Sequence, residues 1–271
     1  MKSPKELNID NKLIDITEAF NLSGFAVKGL KMLLQNKELQ ALQEFANNVS
    51  IVRLGFNDHG PVHMRIVTHN ALLMLRLLKN AGIKTTLEND KCGDFEDSLL
   101  SVMISTMFHD VGMCMGRANH ELHSTIIAQP VIDKILQDLF ENNLSKKIMI
   151  KGVAMEGIAG HMGTLNISSL EAGIVQIADG CDMTKGRARI PIAMAHPPRV
   201  GHIHQYSASS IEDVSIAAGK EKPIRIDVKM SSEVGLFQVE EVLMHKISGS
   251  TAKQHIELYA TVHNSPERRY L

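Results

Sequence analysis

The sequence has few cysteine and aromatic residues, and it contains no tryptophan. Its 3 cysteines, Cys92, Cys114 and Cys181, form no CxxC pair, which excludes a disulfide framework and a thiolate zinc finger. Aromatic residues make up 4% of the chain, too few to build platforms that stack nucleic-acid bases. Apolar segments stay shorter than the roughly 18 residues of a membrane-spanning helix, and the N-terminal segment lacks a signal-peptide pattern. We therefore expect a cytoplasmic protein with no membrane partner.

An excess of charge of one sign is lacking as well, because 29 Lys and Arg residues oppose 30 Asp and Glu residues. Without a basic field, the chain has no general means of holding a nucleic-acid duplex or an anionic membrane. The residue type that stands out is histidine, with 13 residues in 271. An excess of histidine without cysteine points to metal or proton chemistry.

Helical periodicity dominates residues 1–205. The pair Gly60-Pro61 marks a helix start, since proline fits the first turn of a helix, where its missing N–H is not needed. An apolar stripe from Ile66 to Leu78 then predicts a helix that ends near Asn80. Similar patterns predict further helices over residues 97–109, 119–139, 146–161 and 170–184.

The pattern changes to strand-like alternation near residue 206. Apolar and polar residues alternate over 224–230 and again over 256–262, and a short amphipathic helix lies between them. We predict an α+β protein with a mainly helical domain over residues 1–205 and a small β-β-α-β domain over 206–271, connected through a loop over 186–207. The two apolar rows would form two faces of a sheet that one helix cannot cover. We therefore expect a homodimer with this domain at or near the interface.

Four polar side chains interrupt the apolar helical segments. His109 and Asp110 end one apolar run, Asp179 lies within the run AGIVQIADGC, and His63 shares the apolar face of its helix. A buried carboxylate is costly unless a cation pairs with it. Imidazole and carboxylate together suit Mn, Fe, Zn or Co. In the alternative reading, Asp179 forms a salt bridge with one of the basic residues that follow it, Lys185, Arg187 or Arg189.

Taken in order, these residues give the pattern H…HD…D, and the sequence here resembles the HD superfamily of metal-dependent phosphohydrolases. The matching segments are VHMRIVTHNALLML (62–75), FHDVGM (108–113), RANHELHSTIIAQPVIDKIL (117–136) and IVQIADGCDMTKGRARI (174–190). The resemblance covers about residues 50–190 and does not extend to residues 205–271. It implies an all-helical HD domain with the metal ligands His63, His109, Asp110 and Asp179.

Two further histidines resemble positions that bind a second ion in the two-metal branches of this superfamily. His120 follows the HD pair, and His161 lies in the segment IAGHMG. The resemblance therefore implies one or two divalent ions, chosen from Mn, Fe, Mg, Co and Zn. In the alternative interpretation, His120 binds no metal and either contacts a metal ligand from outside the site or lies at the surface. The chain lacks the HHE and GYP motifs of the cyclic-dinucleotide phosphodiesterases, which speaks against that substrate.

Basic residues flank the predicted ligands. Lys185, Arg187 and Arg189 follow the helix of Asp179, and Arg117 precedes His120. Such cations could hold the phosphate groups of a substrate. The first three could equally complement the negative end of the helix dipole.

The resemblance predicts hydrolysis of a phosphate ester, and of a nucleotide in particular, by metal-activated water. The predicted catalytic residues are Asp110, His120, Arg117, Lys185 and Arg187. Two alternatives remain open at this point. The first is a di-iron oxygenase with an HD-type fold, and the second is a non-catalytic protein that binds a nucleotide and signals through its C-terminal domain.

Overall fold

The computed structural model describes residues 2–185 and 203–271, apart from the side chains of His204 and Gln205. Helices build the N-terminal part. They are α1 (Pro4–Glu18), α2 (Phe25–Gln35), α3 (Lys37–Asn48), α4 (Pro61–Asn80), α5 (Thr86–Asn89), α6 (Phe95–Phe108), α7 (His120–Phe140), α8 (Leu144–Gly160) and α9 (Leu170–Cys181). Among the helices described, none is long and apolar enough to cross a membrane.

Helix α6 is the centre of this bundle, since every one of its residues is buried. The side chain of Asp94 begins the helix by accepting a hydrogen bond from the backbone N–H of Asp97 (3.0 Å). Helices α2, α4, α8 and α9 pack around α6, and their apolar faces form one core with it. Helix α4 begins at Pro61 and ends at Asn80, as the sequence predicts.

The turn after α6 brings the start of α7 close to the end of α6. The N–H of Gly112 donates to Ser124 Oγ (2.8 Å), which in turn donates to the carbonyl oxygen of His109 (2.6 Å). A Cβ atom on Gly112 would lie 2.0 Å from the carbonyl oxygen of His120, so this approach requires glycine. Asn119 precedes α7 with a left-handed backbone (φ 55°) and makes no side-chain cap, unlike the extended N-cap that its residue type predicts.

Residues 203–271 form a C-terminal module. It consists of α10 (Ile203–Ser210), β1 (Ile211–Ala218), β2 (Ile224–Met230), a π-helical segment (Gln238–Leu243) that continues into α11 (Met244–Gly249), β3 (Ile256–Val262) and the short β4 (Arg268–Arg269). The sheet order is β1-β2-β3-β4, with β2 and β3 parallel and the outer pairs antiparallel. The predicted β-β-α-β order is present, and the structure adds the short fourth strand β4, which the sequence did not predict. The last part of the predicted loop is helical from Ile203, and residues 186–202 lie outside the described residues.

The two apolar rows of the sheet lie on one face. The parallel register pairs Ile224 with Ile256 and Ile226 with Leu258, so partners with equal parity point to the same side. Both rows are buried in the core that includes Leu243 of the helical crossover. The prediction of two apolar faces is therefore wrong, because a parallel crossover between β2 and β3 superimposes the rows.

Candidate metal centre

The predicted ligands lie at the ends of five helices that meet on one side of the bundle. His63 lies in the first turn of α4, and His120 is the first residue of α7. His109 and His161 directly follow α6 and α8, and Asp179 lies in the last turn of α9. All five side chains are buried, as is that of Asp110. Residues far apart in sequence thus form one polar cluster inside an apolar bundle.

The first group of ligand atoms belongs to His63, His109, Asp110 and Asp179. The Nε2 atom of His63 lies 3.2 Å from Asp110 Oδ2 and 3.2 Å from Asp179 Oδ1. The Nε2 atom of His109 lies 3.2 Å and 3.6 Å from the same two oxygens. Two imidazoles and two carboxylates therefore surround one position.

The second group is formed by Asp110, His120 and His161. The Nε2 atom of His120 lies 3.1 Å from Asp110 Oδ1, and that of His161 lies 3.4 Å from the same oxygen. Asp110 thus presents Oδ2 to the first group and Oδ1 to the second. A single carboxylate therefore links the two groups through its two oxygens.

Backbone hydrogen bonds fix the orientation of three of the rings. The Nδ1 atoms of His109, His120 and His161 lie 2.8, 3.0 and 2.7 Å from carbonyl oxygens three residues earlier in the chain. An imidazole that donates from Nδ1 keeps its lone pair at Nε2 when it is neutral, so each of these rings in its neutral form directs a lone pair into the cluster.

The imidazole nitrogens and carboxylate oxygens of the cluster fit divalent cations. The Nε2 atoms of His63 and His109 are 3.2 Å apart, and so are those of His120 and His161. When both nitrogens of such a pair are unprotonated, their lone pairs repel each other, and a cation that binds both removes the repulsion. Two sets of residues are His63/His109/Asp110 and Asp110/His120/His161. Within each set, the ligand atoms lie within 4.8 Å of one another. The His and Asp groups can therefore hold a divalent metal ion.

The local electrostatics keep the two carboxyls ionised and act in opposite directions on two of the histidines. Burial lowers the pKa of His109, but Asp110 and Asp179 raise it above its usual value. Burial disfavours the charged form of Asp110, yet the charge of His109 holds the pKa of this carboxyl well below its usual range. Burial acts in the same way on Asp179, and the ammonium of Lys246 likewise holds the pKa of that carboxyl well below its usual range. Burial lowers the pKa of His161 to about 4, which keeps its imidazole neutral near pH 7.

Asp182 is a residue of this site that the sequence analysis did not identify. Its Oδ2 atom lies 2.6 Å from His63 Nδ1, on the side of the ring away from the cluster. A carboxylate in this position holds the ring in one orientation and makes the lone pair of Nε2 a stronger metal ligand. The spacing Asp179-x-x-Asp182 was the available signal, but it gave no indication that the second carboxylate faces a histidine 119 residues away.

A cavity of about 420 Å³ opens onto the cluster, with Asp110 and Asp179 in its lining. Its walls come from the segment before α4, from Arg117 and Met162, and from the C-terminal module, which supplies Gln238, Glu241, Val242, His245 and Lys246. This volume lies within the range of small-molecule sites, which is about 300–1,000 Å³. The predicted substrate-binding residue Arg117 thus borders the space next to the ligands.

The other predicted cations have different positions. Lys185 is exposed and is not part of the cavity lining. Arg187 and Arg189 lie outside the described residues. Among the described residues, Asp179 forms a salt bridge with Lys246, whose Nζ lies 2.5 Å from Asp179 Oδ2. The sequence analysis did not identify Lys246, because the contact joins residues 67 positions apart.

Comparison with known proteins gives one informative relationship. No protein-family model matches the chain, and no solved structure matches it. The chain is 37% identical over 249 residues to the uncharacterized protein MJ1020 of Methanocaldococcus jannaschii. The alignment covers 92% of this chain and 94% of that protein. The chain therefore belongs to the same protein family as MJ1020 of Methanocaldococcus jannaschii.

Proposed function

We propose that the protein is a metal-dependent phosphohydrolase of the HD type that hydrolyses a phosphate ester of a nucleotide. The observation that carries the proposal is the convergence of His63, His109, Asp110 and Asp179 in one buried cluster. These are the residues of the H…HD…D pattern, and they meet beside a cavity large enough for a small molecule.

The residues of the site have separate roles in this proposal. His63, His109, Asp110 and Asp179 would hold one cation, and Asp110, His120 and His161 would hold a second. Imidazole and carboxylate ligands suit Mn, Fe, Co or Zn. When bound, such cations supply Lewis acidity that activates water near neutral pH and offsets the charge of a phosphoryl group.

The reaction itself exchanges one bond to phosphorus for another. The oxygen of water bonds to phosphorus, the bond from phosphorus to the ester oxygen breaks, and the alcohol leaves with one of the protons of water. Arg117, which lines the cavity, donates hydrogen bonds to phosphoryl oxygens as their charge rises. The buried, helix-anchored ligands keep their geometry fixed throughout.

The nucleotide part of the proposal is supported by the size and lining of the cavity. A volume of about 420 Å³ accommodates a base and a sugar beside one phosphate. Phe56 and Val242 offer apolar surface to a flat ring, and Asn57 and Gln238 offer amide groups. These groups line the same cavity as Asp110 and Asp179.

The test is a panel of nucleotides incubated without O₂ with protein loaded with Mn, Fe(II), Co or Zn. We expect release of phosphate or nucleoside from at least one nucleotide, and no release by the metal-free protein. Consumption of O₂ by the iron-loaded protein, with no phosphate release under any metal, would show that the di-iron oxygenase reading is right. Saturable nucleotide binding without turnover under any metal would show a non-catalytic binding protein.

A further inference from the structure

We propose that Lys246, which belongs to the C-terminal module, is a phosphate-binding residue of the cavity and that the site takes a dianionic phosphate monoester. The proposal rests on the proposed function, since it concerns the substrate of the same site. It assigns to the module a direct part in substrate recognition.

The ammonium of Lys246 lies at the junction of the two parts of the molecule. It donates to Asp179 Oδ2 (2.5 Å) and to the carbonyl oxygen of His161 (2.7 Å). Within residues 2–185 and 203–271 these are its two hydrogen bonds, which leaves the third N–H of the ammonium for a ligand. Lys246 also lines the cavity, so a ligand in the cavity can reach this group.

The fold holds the lysine in this position. Gln238, Val242 and Lys246 line the cavity at intervals of four residues, so one face of the helical crossover forms its wall. The residues after α11 bind to the start of α9, where Thr251 Oγ1 donates to the carbonyl oxygen of Ser169 (2.7 Å). A Cβ atom on Gly173 of α9 would lie 2.3 Å from Thr251 Oγ1, so the close packing of the two elements depends on this glycine.

The balance of charge shows why this ammonium does more than neutralise Asp179. Two divalent cations bring four positive charges to the site. Among the described residues, the carboxylates buried in or beside the cluster are Asp110, Asp179, Asp182 and Glu121, and their four negative charges offset the charge of the cations.

Among the described residues, Lys246 and Arg117 are then the lysine and arginine that border the cavity, and they bring two further positive charges. A phosphate monoester carries two negative charges near neutral pH, whereas a diester carries one. Glu241 also lines the cavity, but it is exposed and therefore screened by water. The charge of the site thus matches a monoester.

The experiment measures the binding of inorganic phosphate by titration calorimetry to Mn-loaded, desalted, full-length protein. The variants are Lys246→Met, which removes the ammonium, and Lys246→Gln, which keeps two N–H donors without the charge. Lys253→Met is the matched control, because Lys253 is an exposed lysine of the same module. We expect phosphate affinity to fall at least tenfold in both Lys246 variants with Mn content retained, and to stay unchanged in the control.

A second titration compares methyl phosphate with dimethyl phosphate on the wild-type protein. The dianion should bind at least tenfold more tightly than the monoanion, and equal affinities would overturn the assignment to monoesters. Phosphate affinity that stays at the wild-type level in an Mn-loaded Lys246 variant would overturn the role of Lys246. So would loss of Mn from both variants, because Lys246 would then be only a structural partner of Asp179.

The role of Lys246 in phosphate binding and the hydrolase activity can be confirmed or refuted separately. A wild-type protein that binds Mn and phosphate through Lys246, yet hydrolyses no nucleotide, would support the phosphate-binding role and refute the hydrolase.

Discussion

Asp110 is the residue on which the metal centre depends most, because its two oxygens face different groups of histidines. Oδ2 lies 3.2 Å from the Nε2 atoms of His63 and His109, and Oδ1 lies 3.1 Å from that of His120. Its negative charge also faces both groups of histidines, so it would offset the charge of a cation bound by either group. A change at this residue should therefore affect both.

The substitution Asp110→Ala should abolish binding of at least one equivalent of metal, since it removes a charged ligand from each position. Elemental analysis of protein purified and loaded in parallel measures this loss. Asp133→Ala is the control, because Asp133 is a half-exposed carboxylate on α7 that pairs with Lys151. Full metal content in folded Asp110→Ala protein would show that the HD assignment is wrong.

Asp182→Asn tests the carboxylate behind His63. The amide keeps the size of the side chain but loses the charge that orients the imidazole and strengthens Nε2 as a donor. We expect metal affinity to fall roughly 10- to 100-fold, as measured by competition with a chelator. Asp213→Asn, at an exposed position of β1, should leave the affinity unchanged. An unchanged affinity in Asp182→Asn would mean that the hydrogen bond does not support the ligand.

The residues of the centre differ in how far the sequence could predict them. Their order along the chain, together with the cost of polar groups in apolar helices, predicts four of the ligands, namely His63, His109, Asp110 and Asp179. His120 and His161 follow from the resemblance to two-metal proteins. Asp182 and Lys246 do not, because each touches its partner only after helices distant in sequence have packed together. Among the described residues, tertiary packing supplies Lys246 as a cationic partner of Asp179, and the predicted partners Arg187 and Arg189 lie outside those residues.

The turn between α6 and α7 is the element that joins the two groups of ligands. It places Asp110 next to His120 through the close contact of Gly112 with the first turn of α7. This packing leaves no room for a side chain. The geometry of the centre therefore depends on a residue that binds no metal.

Gly112→Ala should destabilise the protein by about 1–3 kcal/mol and weaken metal binding, because the new methyl group pushes α7 away. Thermal or denaturant unfolding of the metal-free protein measures the first effect. Gly152→Ala is the matched control, since Gly152 is an exposed helical residue with open space around its Cβ position. That change should stabilise the protein by up to about 1 kcal/mol. Equal stability of the two variants would contradict the packing described here.

At the scale of elements, periodicity predicted the helices well and the sheet only in part. The start of α4 at Pro61 carries a local signal that acts within one turn of helix. The register that pairs Ile224 of β2 with Ile256 of β3 carries no such signal, because it is set by contacts between strands that are distant in sequence. For that reason the sequence predicted two apolar faces where the structure has one.

At the scale of the molecule, the described residues form two parts that share one cavity. The helical bundle supplies the His and Asp groups that can hold a metal ion, and the C-terminal module supplies Lys246 and one wall of the cavity. The sequence could divide the chain by its change of periodicity. It could not show that the second part reaches into the site of the first, since the resemblance to HD proteins ends before the module begins.

The homodimer stays a prediction. Among the described residues, β1 pairs with β2 on one edge and with no strand on the other, so a second copy could extend the sheet there. Light scattering should give a mass of about twice the chain mass of 29.9 kDa. A mass of one chain at every concentration tested would contradict the prediction.

The most direct test of the metal centre is anomalous diffraction from crystals of the Mn-loaded protein. The account predicts two anomalous peaks about 3.5–4 Å apart, one on each side of the Asp110 carboxylate. The first should contact His63, His109 and Asp179, and the second should contact His120 and His161. A single peak, with His161 turned away from it, would reduce the centre to one ion. The absence of any peak at Asp110 in fully loaded crystals would contradict the account.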